Sequence, residues 1–303
     1  MANLVLYLVV VLVWGSSWIM IKFQIGVVPA EASIIYRFAI ASVLMFAWAL
    51  FHRLPLRFSL RDHVFIAAQG ALIFCINYFL FYHAAAYLTT GLIAVVMSTA
   101  SIMTMLFTSV LSHRAPAMRA LAGAVCGALG IGIIFWPELA GFVSGETSAV
   151  GLFLCIGATA SFSAGGMIAA RNHSTGLSVR GSTAWAMAYG VALMAAFALI
   201  QGTDFTFDPR PRYVASLAYL AVMGSMVAFA CYFALLARVG AERSSYATVL
   251  FPVVALTFST MFEGYQWAPS AVFGVALTLA GNVLVLFRPP VPDQPVPAHQ
   301  TGA

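Results

Sequence analysis

Gly91-Leu92-Ile93-Ala94-Val95-Val96-Met97 opens an apolar run that continues to Leu111 without one charged side chain. A hydrocarbon core about 30 Å thick is crossed by about 20 apolar residues in a helix, so this run predicts a membrane span. Outward from it, similar runs stand at 4–25, 32–51, 64–83, 119–136, 149–170, 180–200, 213–236, 246–263 and 269–287. The composition agrees, with 62% hydrophobic and 8% charged residues and a mean hydropathy of +0.97. A soluble domain carries roughly a quarter charged residues and could not keep this much apolar surface from water. Barrel strands are excluded, because the runs lack period-two alternation and are about twice the length a tilted strand needs. The chain reads as an all-α integral membrane protein of ten transmembrane helices.

Charge orients it. Arg53, Arg57, Arg61, Arg114, Arg119, Arg171, Arg180, Arg238, Arg243 and Arg288 fall on one side, ten of the fourteen Lys and Arg. Arg210 and Arg212 fall on the other, with Glu31, Glu138, Glu146, Asp204, Asp208 and Glu263; Lys22 and Arg37 lie near that boundary. The positive-inside rule then predicts cytoplasmic amino and carboxyl termini. The net charge of +5 reports this topology; with no clustered basic face, nucleic acid is not an expected partner. Ala30-Glu31-Ala32 resembles a cleavage site, but no Lys or Arg precedes the first apolar stretch, so a retained first helix is expected. Cys75, Cys126, Cys155 and Cys231 fall in predicted helices without motif spacing. They read as free thiols, and no metal or cofactor is expected.

The halves repeat. Asn77-Tyr78-Phe79 matches Cys231-Tyr232-Phe233 at an offset of 154, and Gly123 and Gly130 match Gly274 and Gly281 at 151. Ala115-Pro116 matches Ala268-Pro269, and Trp14-Gly15-Ser16-Ser17-Trp18 has a looser echo in Phe162-Ser163-Ala164-Gly165-Gly166. The expected units are 1–136 and 149–288, joined by a periplasmic loop at 137–148 and followed by a proline-rich disordered cytoplasmic tail at 289–303. Five spans per unit is an odd number, so the second unit enters the membrane inverted. Inverted repeats that exchange conformations are a common construction of secondary transporters, with the substrate near the midplane.

Trp14-Gly15-Ser16-Ser17-Trp18, followed by Tyr36-Arg37-Phe38, resembles the start of an EamA-type repeat of the drug/metabolite transporter superfamily. The Gly-rich helices around Gly123–Gly132 and Gly274–Gly281 resemble its closing helix, and the likeness spans about 1–288. It implies a ten-helix exporter of small metabolites, amino acids or drugs in a bacterial inner membrane, working as monomer or homodimer. Two departures stand out. His113-Arg114 and Gly264-Tyr265-Gln266 replace the family's frequent Gly-Glu-Arg, and Ser101 stands where Pro252 keeps the proline of the fourth helix of the repeat. A bend at Pro252, freeing a carbonyl one turn earlier, is expected without a counterpart in the first half.

No Asp or Glu lies in the middle of a span, which argues against a carboxylate-driven antiporter and for movement down a gradient. His83 is the one near-midspan group able to titrate near neutral pH, an interfacial histidine by the simpler account and a proton-coupling group by the other. Deep aromatics with a polar atom want a partner in hydrocarbon. Trp18, Tyr78, Tyr82, Trp185 and Tyr232 are accordingly expected to enclose a solute, with Tyr78 facing Tyr232 across the pseudo-axis; ordinary helix packing is the alternative. Ser98 and Ser101, i and i+3, either bind its polar groups or bond to a preceding turn or neighbouring helix. Pro252 is placed near the site. Lys22 and Arg37, the only cations inside spans, are expected to snorkel or to pair with Glu31; an outer gate for carboxylates is the alternative. The glycines of helices five and ten predict a close seam, within the chain or in a dimer.

The expected function is alternating-access export or facilitated passage of small metabolites, foremost amino acids including aromatic ones. A proton-coupled organic-cation exporter or an importer of the same fold is the alternative. A lipid-acting enzyme would need a cluster at an interface, and His52, His63 and His113 lack metal-ligand spacing.

Overall fold

A computed structural model describes residues 2–113, 115–116, 118–136, 148–244 and 246–286. Arg114, Glu138, Glu146, Arg288, the loop to residue 147 and the tail lie outside the described residues, as does the side chain of Arg243. Helices α1 (Ala2–Lys22), α2 (Ala30–Phe51), α3 (Leu60–Ala84) and α4 (Thr90–Ser98 and Ala100–Ser112) lead to α5 (Met118–Ile134). Then come α6 (Ser148–Ser174), α7 (Val179–Gln201), α8 (Pro211–Tyr219, Leu220–Val227 and Ala228–Ser244), α9 (Tyr246–Phe262) and α10 (Pro269–Leu286). Seven of these are long and apolar enough to cross a membrane, and α5, α9 and α10 are shorter apolar helices. No strand occurs among the described residues. Large apolar side chains such as Leu12, Val43 and Ile200 stay exposed on the outside of the bundle. In lipid nothing drives them inward.

Three helices are interrupted. α3 passes through a π-helical segment at Ala71–Ile76 and α8 through one at Leu220–Val227. A π segment shifts the backbone ladder by one residue, and both segments offer a carbonyl to another helix. Ser161 Oγ donates to the Leu72 carbonyl at 2.7 Å, and Trp14 Nε1 donates to the Gly224 carbonyl at 3.3 Å. α4 breaks at Thr99 (φ −74°, ψ 3°), where the hydroxyls of Ser98 and Thr99 each donate 2.6 Å back to the carbonyls of Val95 and Val96. α9, which holds Pro252, is one helix throughout. The break belongs to the proline-free helix, where back-bonding hydroxyls compete with the ladder.

The glycine seam lies within the chain, between α5 and α10. A Cβ on Gly130 would stand 2.6 Å from the Gly274 carbonyl, and one on Gly281 would stand 2.5 Å from that of Gly123. α2 packs along α7, and Ser42 Oγ donates to the Ala184 carbonyl at 3.1 Å. α1 packs on α8 and α9, while α6 packs on α3 and α4. The loops gather at two ends. Ser33 Oγ meets Tyr213 Oη at 3.0 Å and Lys22 Nζ donates to the Ala85 carbonyl at 2.7 Å at one end. At the other, Trp185 Nε1 donates to the Leu56 carbonyl at 3.0 Å and Arg171 approaches Asp62 at 3.7 Å.

Candidate functional site: a closed aromatic cavity around Arg37

Helical spacing puts Trp14 and Trp18 on one face of α1, with Ser17 beside them, and that face points to the middle of the bundle. Arg37 enters from α2, and Asn77, Tyr78 and Phe81 enter from α3 just past its π segment. α6, α8 and α9 close the space with Phe162, Phe229 and Phe251. Trp18 meets Phe81 edge-on, with centroids 4.9 Å apart at 84°. The cavity left is about 30 Å³, enough for a water or two and far below the 300–1,000 Å³ of typical ligand pockets. This conformation is shut. Two larger hollows, of about 610 Å³ beside Trp48, Arg180 and Arg238 and about 440 Å³ beside Ile102 and Val125, are walled partly by exposed outer side chains.

Arg37 is the chemical centre. It is 1% exposed and does not snorkel, which corrects the expectation. Glu31 is not its partner either, because its Oε1 stands 3.7 Å from His83 Nε2. Arg37 Nε donates to Ser225 Oγ at 2.8 Å, and Nη2 donates to Tyr78 Oη at 3.3 Å. Its Cζ lies 4.5 Å from the Tyr78 ring centroid, a cation–π contact. Buried Nη1 has no hydrogen-bond partner among the described residues. Lys22, by contrast, reaches the end of the bundle and donates to a carbonyl just past the α3 carboxyl terminus, a favourable place for a cation.

Among the other sequence candidates, the structure brings Trp18 and Tyr78 together at the cavity. Tyr82, one turn further along α3, is buried and donates to Gln24 Oε1 at 2.6 Å. Tyr232 packs behind the cavity against Trp14, centroids 4.9 Å apart, and lines a separate space of about 200 Å³ with Thr104 and Gly166. It does not share the space that Tyr78 lines. Ser98 accepts from Asn282 Nδ2 at 3.0 Å, and Ser101 donates to Asn282 Oδ1 at 2.9 Å, which clasps α4 to α10. Trp185 bonds the loop at Leu56 and stacks edge-on with His63 at 5.0 Å. Pro252 follows Phe251, which does line the cavity. His83 Nδ1 donates to the Phe79 carbonyl at 2.8 Å, and its side chain is 39% exposed.

Sequence reasoning did not single out the three phenylalanines of the second half, nor Asn282. A phenylalanine in lipid and one in a cavity wall look alike in sequence. Asn282, buried in an apolar helix, carried the only usable signal: a polar side chain there needs a partner. Among the described residues no group of three or more His, Cys, Asp and Glu could hold a metal ion.

The model of the EamA-like transporter family matches this chain twice, over residues 1–136 and 149–287. The chain belongs to the EamA-like transporter family. Protein PagO of Salmonella typhimurium is 22% identical over 294 residues, covering 92% of this chain and 93% of PagO. The inner membrane transporter YedA of Escherichia coli K12 is 26% identical, covering 92% of this chain and 91% of its own length. A solved protein structure of 16% identity superposes with a TM-score of 0.67 over 93% of this chain and 95% of that one, a likeness of fold. As a member of this family the chain is a multi-pass membrane protein of transporter type.

Proposed function

We propose that this protein is an alternating-access transporter of a bacterial inner membrane that exports small metabolites or eases their passage, foremost amino acids including aromatic ones. The carrying observation is the closed central cavity, walled by tryptophan, tyrosine and phenylalanine from both halves and reached by a buried guanidinium. Aromatic rings stack on a flat apolar body, and the guanidinium suits a carboxylate. Trp18 and Tyr78 would touch the solute; Tyr82, Tyr232, Ser98, Ser101, Trp185 and Pro252 would shape the helices around it.

In this reading ten spans form two inverted five-helix units, 1–136 and 149–288, with both termini cytoplasmic. The double family match supports it. So does the packing, which is preserved when the halves are exchanged: α1 on α8 and α9 corresponds to α6 on α3 and α4. The two π segments stand at corresponding places, and the side chains that take their carbonyls, Trp14 and Ser161, come from corresponding helices. Such segments can flex at modest cost, because a shifted ladder has an alternative register.

Opening either end would part a small set of bonds. On the outer side these are Tyr82 to Gln24, Lys22 to Ala85, and Glu263 Oε2, which accepts from Thr90 N at 2.9 Å. On the inner side they are Trp185 to Leu56 and Arg171 to Asp62. No carboxylate lines the cavity, which favours facilitated flux over cation-driven antiport. Liposomes holding the purified protein should show saturable counterflow of a labelled aromatic amino acid. Counterflow no faster than in empty liposomes would refute the substrate class, and termini tagged on opposite sides would refute the topology.

A further inference from the structure

Arg37 brings a full positive charge to the central cavity, and nothing of opposite sign meets it there. Among the described residues it is the one charged side chain of the lining. The described carboxylates are placed elsewhere: Glu31 at His83, Asp62 at Arg171, Asp208 at Arg210, Glu263 at Thr90, and Asp204 exposed in the loop before α8. Arg37 is 99% removed from solvent by its 1% exposure, and its Nη1 is an unused donor. An ion out of water without a counter-charge is strongly disfavoured. The missing half of the pair is an anion that arrives from outside.

Resting on the reading of this cavity as the transport site, we propose that it selects its solute by one carboxylate and offers the amino group no counter-charge, so that its best substrates are amine-free organic acids with a flat apolar body. A carboxylate accepts from two donors at once, and Nη1 is free while Nη2 spends one of its two N–H groups on Tyr78. Asn77 stands beside this position, its Nδ2 donating to the Ala158 carbonyl at 2.9 Å, and so does Ser17, whose Oγ donates to the Val13 carbonyl at 2.6 Å. An ammonium group fares worse. It finds no carboxylate, only neutral acceptors such as Ser17 Oγ and the aromatic faces of the wall, and the guanidinium that covers the Tyr78 ring at 4.5 Å repels a second cation at short range. The ring of the solute lies against Trp18, Phe81 and Phe251. Amino acids are therefore read by their acid end, and their amino group is carried along.

The test uses the full chain in detergent and thermal-shift titrations with phenylalanine, 3-phenylpropionate (no amine), phenethylamine (no carboxylate), 3-phenylpropanamide (no charge) and sodium chloride. The expected result is that 3-phenylpropionate binds at least as tightly as phenylalanine, and the amine and amide about 10- to 100-fold more weakly. Arg37→Gln removes the preference of acid over amide, and Arg37→Lys keeps part of it. The proposal is overturned if the amine or amide matches the acid, if no carboxylate binds, if chloride alone gives the full shift, or if Arg37→Gln keeps the preference. Should Arg37→Gln fail to fold, the wild-type series decides alone. Binding of the acid without counterflow in liposomes would sink the transport reading and leave the site standing. Counterflow of amino acid and amide at equal rates would do the reverse.

Discussion

Helices α3 and α8 are built alike and used differently. Each carries a π segment at the same depth of its half, and each gives a carbonyl from it to a partner helix. Beyond the π segment α3 sends Asn77 and Tyr78 to the central cavity. At the matching positions α8 has Cys231, beside an outer hollow, and Tyr232, behind the cavity. The division extends to the whole lining. Ser17, Arg37, Asn77 and Tyr78 come from the first half, and the contributions of the second are all phenylalanine. On the proposed alternating-access reading, a duplicated frame preserves joints and seams because both copies must move, and one site between them needs its polar groups only once. Frame substitutions should then hurt equally in both halves, and site substitutions in one.

The largest effect is expected at the seam. Gly130→Leu and Gly281→Leu each drive side-chain atoms into a facing backbone carbonyl, and backbone cannot yield as a flexible side chain can. Overpacking costs about 1–3 kcal/mol where a core can adjust, and here it cannot, so both variants should lose the folded monodisperse peak in size-exclusion chromatography. Gly132→Ala, with open space at its Cβ, should keep it and gain up to about 1 kcal/mol from helix propensity. Unequal damage from the two leucines would break the symmetry of the frame.

Next in size is the site. Tyr78→Phe removes the hydroxyl that accepts from Arg37 and should reduce flux about tenfold, the weight of a hydrogen bond to a charged group. Tyr232→Phe, outside the cavity lining, should change it less than about twofold, near the low end for one neutral bond. Equal losses in the two variants would mean that the cavity has two polar walls. A comparable free energy, felt in stability and not in flux, is expected where the halves are clasped. Asn282→Ala leaves Ser98 and Ser101 without their shared partner, and should cost about 1–3 kcal/mol of stability with KM unchanged. A raised KM would return the two serines to the solute.

The spans were legible because lipid imposes one rule on the whole length of a helix, and a run such as 91–111 satisfies it in plain sight. The interruptions were not. A π segment changes hydrogen-bond register without requiring any particular residue, and Ala71–Ile76 reads like its neighbours. The visible cue for an interruption was Pro252 of α9, yet α4 breaks at Ser98 and Thr99, hydroxyls whose local bonding leaves no proline-like mark. Arg37 was hidden for another reason. Its side-chain partner Ser225 lies 188 residues away, so a cation that looked fit only to snorkel is held inside by a contact that exists only after folding. Tyr78 and Trp18 were legible as deep polar aromatics; Tyr232 and Trp185 shared the same pattern and found partners elsewhere.

The smallest effect concerns how α3 and α8 begin. Ser59 starts α3 as an N-cap, its Oγ accepting from Asp62 N at 3.2 Å. α8 begins with Pro211 after a loop in which Asp208 Oδ1 accepts from Arg210 N at 3.0 Å, while both carboxylate oxygens take the Arg210 side chain. Ser59→Ala should cost about 1 kcal/mol at neutral pH and less in acid, because Ser59 Oγ also donates to Asp62 Oδ2 at 2.6 Å and holds that carboxyl below its usual range. Asp208 behaves alike. Hydrogen bonds from Arg210 hold its carboxyl below the usual carboxylate range, so the folded state prefers the ionised form. Its contribution is then complete above the unfolded carboxyl's pKa of about 3.9 and is lost as pH falls through the lower folded value. The difference in Tm between wild type and Asp208→Asn should be constant from neutral pH down to about 4 and shrink below it, and that for Ser59→Ala should shrink over the same range as Asp62 takes up its proton. A gap for either variant that closes already near neutral pH, or one that widens in acid, would show that these two helix starts are not held through an ionised carboxylate.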